Sequence, residues 1–253
     1  MLVRSARVLV SGVLGIAVWQ LGARFVVRNP LFLPAPGAVL IAAVKVVQTG
    51  ELLSNLLVSL TYFAVGSAIG FVGGVLLGIL LGVSQTVADY VDPWISAAYT
   101  APLVALTPLL IIWFGIGLWS KTVIIALLVI FPVAIGTVAG IRSTDRSLLE
   151  VATSMGAGRG DTLRKVMVPW ALSFILSGAR IGVGRGVIGI FVAELFGGAS
   201  KGIGLMISNA ATVFDTPLLF VGIMVLAGMG IGVTTLLRFL ERRMAPWRTQ
   251  SVV

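Results

Sequence analysis

The chain has 253 residues, 58% of them apolar and 11% charged, with a net charge of +9. A soluble domain carries roughly 25% charged residues, so this chain cannot cover a water-facing surface and lipid must be its main solvent. It contains no histidine and no cysteine, which removes disulfides, thiolate chemistry and His-based metal or acid–base sites; the basic excess fits the cytoplasmic loops of a membrane protein better than a nucleic-acid surface.

In chain order, Arg4 and Arg7 precede an apolar run that resembles a signal peptide. The run has spanning length and no small-residue cleavage site follows it, so it reads as an uncleaved first span. Further stretches of about 20 apolar residues, enough to cross the hydrocarbon core, follow in turn. Six spans are expected, over 8–27, 58–83, 95–117, 121–141, 171–195 and 217–238, in one transmembrane domain covering 1–253. The fold class is therefore all-α.

Between the first two spans, Leu33-Pro34-Ala35-Pro36-Gly37 marks a rigid entry to an amphipathic surface helix between Ala38 and Val47. In the second span Gly66, Gly70, Gly74, Gly78 and Gly82 recur every four residues, a small-residue stripe that lets another helix approach closely. Pro102 and Pro108 are expected to break the third span, because proline removes a hydrogen bond and kinks a helix. The freed backbone groups need protein or water partners, so this helix should line a pathway or a subunit contact. Trp113, Phe114 and Trp119 suit an aromatic belt rather than a ligand cage.

The longest polar interval between late spans is a loop over 142–170, with its centre at Asp145–Pro169. Leu148, Ala152 and Met155 form one stripe of a short helix. Asp145 can cap it, and Ser147 with Glu150 can form a capping box one step later. Gly156, Ala157 and Gly158 suit a chain reversal. A second apolar set, Leu163, Val166 and Met167, follows, and Pro169 suits the first turn of the next element while disfavouring helix at Val168. A plain surface loop between spans fits the same pattern.

The fifth span carries Arg180, Arg185 and Glu194. Charged groups in a span face the bundle interior or water. Arg180 and Glu194 lie about 21 Å apart along a helix, too far to pair, and Arg185 points about 140° from Arg180. The arginines either snorkel, pair with a neighbouring helix, or face the solute. Gly197, Gly198, Gly202 and Gly204 then break the chain, and Leu205 to Phe214 is too short to span. Asp215-Thr216-Pro217 starts the last span, and a basic tail runs from Arg238 to Arg248. With the N-terminus inside, eleven basic residues in the loops, tails and span ends fall on the inner side and five on the outer, so both termini and the 142–170 loop are expected in the cytoplasm.

No P-loop occurs, no carboxylates pair within one span, and the serines have no base. The chain is not expected to be an enzyme, and the energy for any pumping would come from another chain.

The 145–169 stretch resembles the cytoplasmic loop of ABC-importer permeases, E-A-A-x3-G-x9-I-x-L-P, at Glu150, Val151, Ala152, Gly156, Val166, Val168 and Pro169. Val151, Val166 and Val168 are conservative departures. LPAPGAVL at 33–40, the glycine-rich run at 59–82, TPLLIIWFGIGLWSK at 107–121 and ARIGVGRGVIGIFVAELFG at 179–197 are similar to the nitrate/sulfonate/taurine branch.

The resemblance implies the type I importer permease fold, with a coupling helix between spans 4 and 5, in a bacterial inner membrane. It implies a homodimer, two cytoplasmic ATPase subunits that bind ATP and Mg, and an extracytoplasmic solute-binding protein; no cofactor belongs to this chain. ATPase coupling falls to Leu148, Glu150, Val151, Ala152, Met155, Gly156, Ala157, Gly158 and Pro169. Candidate pathway residues are Pro102, Pro108, Arg180, Arg185 and Glu194. The expected cargo is a small anion such as nitrate, a sulfonate, taurine or bicarbonate. An ATP-independent channel or carrier, and a permease for a neutral pyrimidine-type solute, are the alternatives.

Overall fold

The computed structural model describes residues 2–196 and 201–244; Gly197, Gly198 and Arg248 lie outside them. All regular elements among the described residues are helical. Five helices are long and apolar enough to cross a membrane, and a bent helix pair makes up to six. The chain divides into two compact units, Met1–Ser59 with Ser200–Ala227, and Leu60–Ala199 with Gly228–Val253.

In the first unit, α1 (Leu2–Leu21) runs into a π-helical turn at Gly22–Val27. The Trp19 indole N–H donates to the Pro34 carbonyl at 3.0 Å, and its ring stacks on Phe220. Pro36 opens α2 (Pro36–Gln48), where its missing N–H costs nothing. Helix α3 (Glu51–Val83) begins seven residues before the expected span. From α3, the Asn55 side chain accepts from Gly202 N–H at 3.0 Å and Ser59 Oγ accepts from Ile203 N–H at 2.9 Å. These bonds cap a short helix whose own N-cap, Gly202, has no side chain. That helix ends where Phe214 adopts φ 58, a left-handed position usually held by glycine.

In the second unit the glycine stripe of α3 meets the helix over Leu118–Arg142. A Cβ on Gly66, Gly70, Gly74, Gly78 or Gly82 would lie 2.4–2.8 Å from the Cβ of Ile125, Val129, Val133, Thr137 or Ile141 respectively. Both sets advance by four, so one ridge sits in one groove and the two helices run parallel. Two parallel neighbours require residues 84–117 to return across the same thickness.

That return is α4 (Gln85–Thr100) followed, after a 3-10 turn, by α5 (Thr107–Phe114), with an 83° bend. The third span is broken, as expected, but its bounds are not 95–117: it begins at Gln85 and ends at Phe114. Ser84 caps a helix that already starts at Gln85. Ala101 is extended (φ −62, ψ 143), as the residue before a proline prefers, so Pro102 ends α4. Pro108 does not break a helix; it stands in the first turn of α5. Helix α6 is Leu118–Arg142.

A polar segment leads through α7 (Arg146–Ser154) and α8 (Arg159–Thr162) into α9 (Val168–Phe196). A π-turn at Leu163–Met167 joins α8 to α9, and Val168 is helical. Pro169 thus does not start a new helix; the wide turn before it absorbs the missing donor and the ring. Helices α6 and α9 pack antiparallel, with Gly140 against Ala171, Gly178 against the Pro132 carbonyl and Gly182 against Val129. Helix α6 is thereby packed closely against both α3 and α9, with Val129 touching each. The remaining helices are α10 (Ile203–Thr212) and α11 (Thr216–Met244).

Gly78→Ala places a methyl 2.7 Å from the Ala134 carbonyl oxygen, whereas Gly15→Ala meets nothing within 4 Å. In detergent, the first change should lower stability by about 1–3 kcal/mol and the second should not lower it; equal melting temperatures would contradict the packing. Phe214 is 72% exposed, so Phe214→Gly should raise stability by about 1 kcal/mol through relief of the left-handed backbone.

Candidate coupling surface and membrane charges

Helix α7 starts at Asp145, whose carboxylate accepts from Ser147 N–H at 2.9 Å. The backbone N–H and the hydroxyl of Ser147 hold the Asp145 carboxyl below its ordinary range. Asp145 alone makes the cap, which corrects the alternative Ser147–Glu150 box. Glu150 is left exposed on the helix surface.

The helix ends in a double backbone bond, Ala157 N–H to Ala152 O at 3.0 Å and Gly156 N–H to Thr153 O at 2.9 Å, with Gly156 at φ 79. This is the Schellman closure, and it requires the left-handed residue that glycine supplies. Nothing lies within 4 Å of a Cβ on Gly156, so backbone conformation alone demands glycine there. Ala157 is half-buried, and Gly158 is the N-cap of α8.

The exposed apolar stripe contains Val151 where Ala152 was expected. Ala152 is buried, while Leu148, Val151 and Met155 are exposed at 40%, 57% and 83%. Positions 148, 151 and 155 follow the i, i+3, i+7 spacing of one helix face, and that face is uncovered. The second apolar set turns inward: Leu163 and Met167 pack on Ile141, Ala171 and Ile175. At the root of the segment, Arg142 Nη2 donates to the Leu81 carbonyl at 3.2 Å and stands 4.0 Å from Asp92. Pro169 is exposed.

The membrane charges separate into three fates. Arg180 of α9 is paired with Glu241 of α11 by hydrogen bond and charge. Arg185 lies with its guanidinium carbon 4.0 Å from the Tyr99 ring centroid. Glu194 is 1% exposed, and its charge acts on Lys121, itself 2% exposed, whose ammonium lies 4.8 Å from the Tyr62 ring centroid. Arg180, Arg185 and Glu194 therefore do not converge on one point. Pro102 and Pro108 are exposed.

Sequence reasoning counted Lys121 among the outer basic residues, but it is a buried member of α6. A signal existed: antiparallel pairing of α6 and α9 brings position 121 to the end that holds Glu194. Tyr99 and Glu241 carried no such signal, because nothing in the linear pattern places α4 or α11 against α9.

Residues 74–246 match the model of the family described as "Binding-protein-dependent transport system inner membrane component". SsuC of Bacillus subtilis (strain 168), a permease protein ascribed to aliphatic sulfonates transport, is 37% identical over 92% of this chain and 84% of its own. The taurine transport system permease protein TauC of Escherichia coli (strain K12) is 36% identical over 92% of this chain and 86% of its own. The riboflavin transport system permease protein RibX of Chloroflexus aurantiacus is 38% identical over 90% and 85%. An inward-facing structure of the MetNI methionine ABC transporter superposes with a TM-score of 0.58 at 21% identity, covering 75% of this chain and 97% of that one. That likeness establishes the shared type I fold.

Gly156→Val should unwind the end of α7 while leaving the melting of the membrane helices unchanged, since no neighbour is crowded; hydrogen exchange at Met155–Ala157 measures it, and wild-type protection there would contradict the closure. The depressed Asp145 carboxyl stabilises the start of α7 above its unfolded-state value, and that support is lost as pH falls through the folded value. The protection of Ser147 N–H, measured by its exchange rate relative to the intrinsic rate at the same pH, should therefore fall as the Asp145 carboxyl protonates, and Asp145→Ala should abolish this change in protection.

Proposed function

Because the chain belongs to the family of binding-protein-dependent transport system inner membrane components, and is thus a multi-pass permease subunit of an ABC importer for a small solute, we propose that ATP hydrolysed by partner subunits drives it through α7. The observation that carries this is the uncovered face of Leu148, Val151 and Met155 on a helix closed at both ends. Water is a poor solvent for three such side chains side by side, and burying each one is worth about 1.5–3 kcal/mol. A groove on a cytoplasmic ATPase is the occupant that the family's ATP-driven import requires. Glu150, exposed and uncommitted within the chain, supplies a charge to the same contact.

Two ATPases closing on ATP draw two such helices together, so the permease acts as a homodimer. The exposed apolar surface of α5, including Ile112 and Trp113, supports a second copy there. ATP and Mg stay with the partner ATPases, and an extracytoplasmic binding protein delivers the solute. The excess of basic residues on the α7 side favours both termini in the cytoplasm. Displacement of α7 passes into α6 and α9, which are packed too tightly to bend, and emerges as rocking of the bundle.

The cargo is a small organic anion of the sulfonate kind, as the relatives SsuC and TauC suggest. RibX, equally similar and named for riboflavin, supports a neutral solute as the second reading.

The reading is tested on the assembled transporter in vesicles. Leu148→Ser, Val151→Ser and Met155→Ser together should release the ATPase on purification and abolish ATP-driven uptake without lowering the melting temperature of the permease. Retained ATPase with undiminished uptake would refute the coupling role, and uptake without ATP would favour a channel.

A further inference from the structure

We propose that Arg185 and Tyr99 form a transient station for a small organic monoanion with a sulfonate or carboxylate head, and that Arg180 has no share in it. The proposal rests on the permease reading and names the part of the chain that would sense the cargo's charge.

Helix α9 is 29 residues long, and Arg185 sits within about 5 Å of its midpoint along the axis. The hydrocarbon core is about 30 Å thick, so both arginines lie at depths where an unpaired charge is costly. Arg180 answers that cost with Glu241. Its role is to fasten α9 to α11, and its charge is already matched.

Arg185 has a different environment. No carboxylate among the described residues pairs with it, and its recorded contact is the Tyr99 ring at 4.0 Å. A guanidinium stacked on an aromatic ring uses its face. The N–H donors project from the edge of the guanidinium plane, and no hydrogen bond from them to another described residue is formed. They form a fork that matches two oxygens of a sulfonate or carboxylate.

Arg185 is half-buried, and nothing lies within 4 Å of a Cβ on its neighbour Gly184. Ile181 and Ile188, one turn away on either side, are 56% and 59% exposed. This side of α9 is therefore open within the chain. One fixed cation held by a ring rather than by an acid suits a visitor with one negative charge that must also leave.

The chain has no cysteine, so Ile188→Cys in the assembled transporter carries the only thiol of the permease. Its rates of modification by an anionic sulfonate-bearing thiosulfonate and a cationic trimethylammonium thiosulfonate are compared. Arg185→Gln should shift the anion-to-cation rate ratio downward by about tenfold or more, the scale expected for removing one nearby charge at intermediate dielectric. Arg180→Gln should leave the ratio within about twofold. Tyr99→Leu should lower the ratio and Tyr99→Phe should preserve it, since either aromatic ring carries the cation. Methanesulfonate should slow the anionic reagent, and neutral dimethyl sulfone should not.

A ratio unmoved by Arg185→Gln, with both reagents reacting, would overturn the station but leave a pathway at this face. A thiol inert to both reagents would remove the pathway assignment itself. Adding phosphatidylglycerol to phosphatidylcholine vesicles should change nothing; loss of the anion preference would mean that a lipid phosphate, not a solute, occupies Arg185.

Discussion

The structure depends on how closely α3 and α6 approach. In lipid there is no hydrophobic drive between helices, so association rests on van der Waals packing and hydrogen bonding. Five glycines of α3, one per turn, receive Ile125, Val129, Val133, Thr137 and Ile141 of α6. Every receiving residue is β-branched, with one strongly preferred rotamer or nearly so, so the ridge loses little side-chain freedom on docking. A neighbouring, overlapping face of α6 meets α9 through Gly136, Gly140, Gly178 and Gly182, so that Val129 touches both partners. A helix held by two neighbours through backbone-close contacts moves with them or not at all. The polar segment that follows α6 is therefore attached to a closely packed helix, as the proposed coupling role of α7 requires.

The charges follow the same economy. Among the described residues, each buried or half-buried cation in the second unit is answered by a different device: Glu241 for Arg180, Tyr62 and the field of Glu194 for Lys121, and Tyr99 for Arg185. The first ties α9 to α11. The second is closed off from solvent, with both charged partners at 2% exposure or less. Only the third combines an aromatic support with an open flank of the helix. The cost of placing an arginine in a span is tolerable when a partner or a purpose offsets it, and the contrast between positions 180 and 185 separates those two cases.

Much of this was legible in the chain itself. The four-residue glycine period announced a close helix contact, and the structure supplies only the partner's identity. The polar loop with a capping aspartate, an apolar stripe and Gly156 announced a short closed helix. Other features were not legible, for physical reasons. Which residues of α7 are uncovered depends on where Ala152 finds a neighbour, so Ala152 read as part of the stripe of Leu148 and Met155 when Val151 takes that place on the exposed face. Pro102 and Pro108 read alike in sequence, yet one ends a helix and the other starts one, because proline is permitted in the first turn. Pro169 read as a helix start because the π-turn that accommodates it leaves no compositional trace. Lys121 read as one of the outer basic residues because the groups that surround it, Tyr62 and Glu194 among them, lie far away in the chain.

The central claim, that α7 is the inward-facing element through which partner ATPases move this permease, is tested most directly by a single Val151→Cys substitution in a chain that has no other thiol. A membrane-impermeant maleimide is applied to sealed vesicles of each orientation, with and without the ATPase bound. The account predicts labelling only from the cytoplasmic side, and protection when the ATPase is present. Labelling from the opposite side, or labelling from the cytoplasmic side that the bound ATPase does not slow, would contradict it.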